Sequence, residues 1–93
     1  MKQTTDDLIV SYIENGIETV KELDKCILSK GAWTTIIYRY QNWNQSTESY
    51  GPDMFTIRRY QKRHGEYKQK SKFNISSVAQ AEKIINALQN WTK

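Results

Sequence analysis

The chain has 93 residues with one cysteine, one histidine and a formal net charge of +4. Only 38% of it is hydrophobic and its mean hydropathy is −0.79, so one thin core is the most it can build, and a shared surface would make up part of the deficit. Lone Cys26 cannot close an internal disulfide, one His with one Cys do not make a structural zinc site, and no apolar run nears the ~20 residues of a membrane span. The opening Met1–Asp7 lacks the apolar stretch of a signal peptide. A cytoplasmic protein, nucleoid-associated if bacterial, is expected, with no cofactor and no membrane partner.

Residues 1–16 form an N-terminal extension with two readings. Leu8, Ile9, Tyr12 and Ile13 have helical spacing behind Thr5-Asp6-Asp7, which predicts a short helix over 5–14. Asn15-Gly16 is equally a strong hairpin signal. From Ile17 to Leu28 local propensity leans helical, because Glu, Lys and Leu dominate. Trp33–Trp43 is dense in β-branched and aromatic residues and predicts a strand. The polar stretch 44–53 reads as a loop, Met54–Arg63 as a strand stopped at His64-Gly65, and Tyr67–Ile75 as the returning strand. Ser77 and Gln80 have capping-box spacing. Behind them Val78, Ala81, Ile84, Ile85, Leu88 and Trp91 make one apolar stripe, so 77–91 is a helix.

Period-two alternation divides the strands into faces. Thr35, Ile37, Arg39, Gln41 and Trp43 point one way, and Thr34, Ile36, Tyr38, Tyr40 and Asn42 the other. Met54, Thr56, Arg58, Tyr60 and Lys62 likewise oppose Phe55, Ile57, Arg59, Gln61 and Arg63. Such a sheet is expected to pack the helix on one face and to leave a mixed aromatic and cationic face to solvent.

Charge is split along the chain. Residues 1–30 carry four Lys against six acids, and residues 31–93 carry ten Lys/Arg against four. Between Arg58 and Lys72, seven cations face only Glu66, and nine of the eleven aromatics fall between Trp33 and Phe73. Cations for phosphate interleaved with flat rings for unstacked bases are what a single-stranded nucleic-acid groove requires. The plainer reading is a solvated basic face with ordinary strand aromatics.

Read in order, residues 17–91 resemble the positive cofactor four family of transcriptional coactivators, and particularly its small bacterial single-stranded-DNA-binding members. The resemblance rests on Thr19-Val20-Lys21-Glu22-Leu23 ahead of Gly31-Ala32-Trp33, on Ile57-Arg58-Arg59-Tyr60, on the turn at Gly65, on Lys72 and on Ile75-Ser76 before the helix. It covers about four fifths of the chain, and order and spacing carry it rather than any one motif. Phe73 and Gln61 depart from it, standing where the family usually has Gly and commonly an aromatic, and the loop 44–53 is longer than usual.

The resemblance implies an α+β fold, a curved four-stranded antiparallel sheet followed by a C-terminal helix, as one domain over 17–93. It makes 17–28 the first strand and pairs two copies through the helix. It also implies binding of single-stranded DNA with little sequence specificity, in transcription, replication or repair. Arg39, Trp43, Arg58 and Lys72 match residue types the family uses. Strand geometry adds Tyr60 and Lys62 beside Arg58, and Lys68, Lys70 and Lys72 as a cationic row on one face of the last strand. That row equally reads as Lys protection of a sheet edge. Trp43 either stacks a base or caps the core, Trp33 reads as an anchor of the sheet edge, and Trp91 as a core or dimer contact.

Nothing in the chain suggests catalysis. His64 lies in a basic turn, Cys26 reads as a small buried residue, and the acids are scattered. The leading expectation is a non-enzymatic homodimer that binds single-stranded DNA or RNA. The alternative is a protein-interaction adaptor that uses the aromatic and basic sheet face.

Overall fold

Asn15-Gly16 and His64-Gly65 both hold positive φ at two successive residues, 53° and 79° in the first and 53° and 78° in the second. That is the twist-matched geometry of two-residue hairpins, and Asn, His and Gly tolerate it better than other residues. In the computed structural model, which describes residues 3–93, these two turns organise a curled antiparallel sheet shaped as a half-barrel. Its strands are β1 (Tyr12–Glu14), β2 (Ile17–Ser29), β3 (Trp33–Asn44), β4 (Ser49–Tyr50), β5 (Met54–Arg63) and β6 (Glu66–Ile75). The order across the sheet is β1-β2-β3-β5-β6, and β4 pairs with the end of β3. The fold is α+β, completed by helix α1 (Val78–Thr92). Four strands are long, as the resemblance implies, and β1 and β4 are short additions to them.

The hairpin reading of Asn15-Gly16 holds and the helix over 5–14 does not: only Thr5–Asp7 makes a single 3-10 turn. β2 is a strand against its local propensity, because β1 and β3 pair with it from both sides and pairing outweighs a weak intrinsic preference. Ser77 caps α1 by accepting from Gln80 N at 3.1 Å, while Gln80 Oε1 reaches back to Ser76 N at 2.6 Å.

The two faces of the sheet differ. On the covered face Ile36, Tyr38 and Tyr60 are buried together with Leu8 and Val10, with Tyr40 and Tyr67 packed around them. The layer over these residues is the N-terminal arm 3–11, not the helix. Gln3 N donates to Gly65 O at 2.8 Å, and Tyr67 N donates to Gln3 Oε1 at 2.7 Å. Lys25 Nζ donates to Thr5 O and Leu8 O, Tyr38 Oη to Leu8 O, and Val10 N to Glu22 Oε1. The molecule measures 43 × 41 × 17 Å. Its thickness leaves room for one layer beside the sheet, since packed layers sit ~10 Å apart.

The expectation that the helix packs on one face is therefore corrected. No residue of α1 is buried, and Trp91 is 80% exposed. Leu8 and Val10 have taken the core face that the helix was expected to fill.

Candidate nucleic-acid interface

Cross-strand register decides which side chains share the uncovered face, here called the open face. The pairs Trp33↔Gln61, Thr35↔Arg59, Ile37↔Ile57 and Arg39↔Phe55 place one side of β3 and β5 together, and Ile57↔Phe73 and Phe55↔Ile75 extend it to β6. Across β2, Lys21, Asp24 and Cys26 join through Gln41, Arg39 and Ile37. Among these residues only Ile75, where the chain turns toward α1, is buried.

The strongest local arrangement is Trp33 with Arg59. The Arg59 guanidinium sits 4.3 Å from the Trp33 ring centroid, and the ring is 41% exposed. A cation held on an exposed indole gains about 0.5–1 kcal/mol and orders both groups beside solvent. Trp33 is expected as an edge anchor and Arg59 on the strand face opposite Arg58; the structure brings the two together at the β3 start of the open face. Toward the β5–β6 turn, Gln61, Arg63, His64, Glu66, Lys68 and Lys70 line one depression, where Glu66 is the only acid.

At the other end of β3, Trp43 meets Tyr50 edge-to-face with centroids 5.1 Å apart, and its Nε1 donates to Gln45 Oε1. Lys21 Nζ lies 5.0 Å from the Tyr50 ring centroid. Arg39 Nη1 pairs with Asp53 at 3.4 Å, a half-exposed contact worth little to stability.

The candidate residues thus divide. Arg39, Trp43, Lys68 and Lys70 lie on the open face. Arg58, Tyr60, Lys62 and Lys72 lie on the covered face, because Ile36↔Arg58, Thr34↔Tyr60 and Arg58↔Lys72 are register pairs. Two expectations are corrected here. Tyr60 is 5% exposed and shares a 2.8 Å hydrogen bond with the Tyr38 hydroxyl, so its ring belongs to the core and not to a stacking surface. The row Lys68-Lys70-Lys72 does not line one face. Arg59 pairs with Ser71 but Tyr60 pairs with Gln69, so Lys70 is the extra residue of a bulge, and parity reverses there.

Lys62 Nζ lies 5.2 Å from the Tyr67 ring centroid. Arg58 Nη1 donates to Gln69 Oε1 at 3.3 Å, and its buried Nε has no partner among the described residues. Cys26, expected to be buried, is exposed on the open face.

Trp33, Arg59, Arg63, Phe55 and Phe73 were missing from the sequence-derived site. Alternation within each strand already separates Arg59 from Arg58. The signal needed beyond it was the register between β3 and β5, which the nine-residue connection between them conceals. Among the described residues no group of three or more His, Cys, Asp or Glu is placed to hold a metal ion. No helix of the described residues is long and apolar enough to cross a membrane. Compared with known protein families, with curated proteins and with solved structures, the chain has no match in any of the three.

Proposed function

We propose that this chain is a non-catalytic module that binds single-stranded nucleic acid, DNA or RNA, along its open face, and that two copies associate through α1. The observation that carries the reading is the gathering of Trp33, Arg59, Arg63, Lys68 and Lys70 on a sheet face over which the arm does not lie. Rings accept unstacked bases whatever their sequence, and cations follow the phosphates. Trp33 and Trp43 lie at opposite ends of β3 on the same face, up to about 33 Å apart at ~3.3 Å per residue. A single strand crossing between them has a platform at each end. The order of four long antiparallel strands and then a helix is the one implied by the resemblance to positive cofactor four. It favours single-stranded DNA as ligand and a role in transcription, replication or repair.

The test is fluorescence anisotropy of a labelled ~20-nucleotide oligo-dT strand at several salt concentrations, with the matching duplex as competitor. Four cations on phosphate give an expected slope of log K on log salt of about −3, with the duplex competing weakly. Absence of binding at low salt contradicts the reading.

The pairing of two copies through α1 rests on one observation. The α1 stripe of Val78, Ile85, Leu88 and Trp91 is exposed along its whole length. Solvated proteins rarely leave such a patch without a partner. A second copy of this chain satisfies it most simply, since pairing two stripes buries both at once.

A further inference from the structure

The open face carries a shallow hollow lined by the apolar side chains of Cys26, Ile37 and Phe55, with Asp24 and Arg39 beside them. Asp24 and Arg39 are direct cross-strand partners, yet they do not bond each other. Arg39 Nη1 turns to Asp53, and Asp24 Oδ1 accepts from Lys25 N at 2.8 Å. One Asp24 oxygen and most of the Arg39 fork are therefore uncommitted among the described residues. The site offers an apolar lining with one aromatic ring, and beside it one acceptor and one donor.

Building on the single-strand reading above, we propose that this hollow seats one base of the bound strand, and that the base is an amino-bearing one, cytosine or adenine. A nucleobase is a flat ring with apolar faces and a polar edge, which matches an apolar lining with polar groups beside it. Cytosine and adenine present an exocyclic amine next to a ring-nitrogen acceptor. The carboxylate accepts from the amine and the guanidinium donates to the ring nitrogen. Thymine sets a carbonyl where the amine would be, and that carbonyl meets the Asp24 carboxylate with no proton between them. Charge complementarity brings the strand here, since the cations of Arg59, Arg63, Lys68 and Lys70 lie on one side of the hollow and Lys21 on the other.

Cys26 is the only thiol in the chain and is exposed in the lining of the hollow, so it reports occupancy directly. The experiment measures iodoacetamide alkylation of the full chain by mass spectrometry, free and saturated with oligo-dC or with oligo-dT. Saturation is verified by anisotropy. Seating a base should slow alkylation by about tenfold with oligo-dC and distinctly less with oligo-dT, because thiol reactivity follows access. Oligo-dC should bind on the order of fivefold tighter than oligo-dT, and Asp24→Ala should bring its affinity down to the oligo-dT level. Saturated binding with Cys26 alkylated at the free rate would overturn the base seat and leave the single-strand reading standing. Equal protection by both homopolymers would overturn the assigned base chemistry. No binding by either strand would remove both inferences together.

Discussion

The Tyr38 hydroxyl joins three segments, donating to Leu8 O at 2.9 Å and sharing a 2.8 Å bond with the Tyr60 hydroxyl, so arm, β3 and β5 meet at one buried oxygen. Burial, and then the hydrogen bond to Tyr60, push this hydroxyl well above the usual tyrosine range. The folded state therefore holds the proton more tightly than the unfolded chain. The stability this contributes is complete below pH ~10 and is lost as pH rises further. Urea midpoints should hold level up to about pH 9 and fall above about pH 10, and fall less steeply in Tyr38→Phe. Tyr38→Phe also strands Leu8 O and the Tyr60 hydroxyl, so it should cost about 1–3 kcal/mol at neutral pH. On the open face, Arg59→Ala should weaken oligonucleotide binding roughly five- to tenfold through the lost cation and the released indole. Arg58→Ala, on the covered face, should change it less than ~2-fold by anisotropy at equal salt, as a distant charge is screened. A larger loss with Arg58→Ala would move the interface to the covered face. Arg58 and Arg59 show what alternation reveals and where it stops. Their opposition on β5 is plain in the sequence, but which of them joins Trp33 follows only from pairing.

The arm, and not the helix, completes the core. Leu8 and Val10 are buried with Ile36, Tyr38 and Tyr60, whereas every residue of α1 is at least partly exposed. Leu8→Ala should accordingly cost about 2–4 kcal/mol of unfolding free energy, as for other core leucines. An equal-sized truncation in α1, Leu88→Ala, should cost under ~1 kcal/mol in the isolated chain, being a surface change. Equal losses in denaturant melts would contradict the assignment of the core. The capping box at Ser77 and Gln80, the Asn15-Gly16 and His64-Gly65 turns, and the spans of β3 and β5 are all visible as local chemistry. The identity of the core layer is not, because Leu8, Ile9 and Tyr12 fit a helix as well as an arm until Gln3, Lys25 and Tyr38 tie them down. The bulge at Lys70 is equally hidden, since Lys-Gln-Lys-Ser-Lys alternates perfectly in sequence while pairing with β5 breaks its parity.

At the scale of the whole molecule the chain is a slab with two unequal faces and an apolar helix left outside the core. That geometry explains how a chain of low hydropathy keeps a defined fold, with a small core under the arm and its remaining apolar surface spread over α1, the open face, β2 and the segment Ile9–Ile13. Self-association through α1 should be visible by sedimentation equilibrium as a dimer that dissociates in Leu88→Asp while the fold persists by circular dichroism. A dimer unchanged by Leu88→Asp would place the contact elsewhere. Binding across the open face leaves α1 free, so the two activities should separate in such variants. Everything proposed for binding depends on which face meets the strand, and the three tryptophans report on that directly. Trp33 and Trp43 lie at the two ends of the open face, and Trp91 lies on α1. Titrating oligo-dT into isotope-labelled protein should move the indole N–H resonances of Trp33 and Trp43 together and leave that of Trp91 in place. Movement of Trp91 alone, or of no indole at saturation, would contradict the open face as the binding surface.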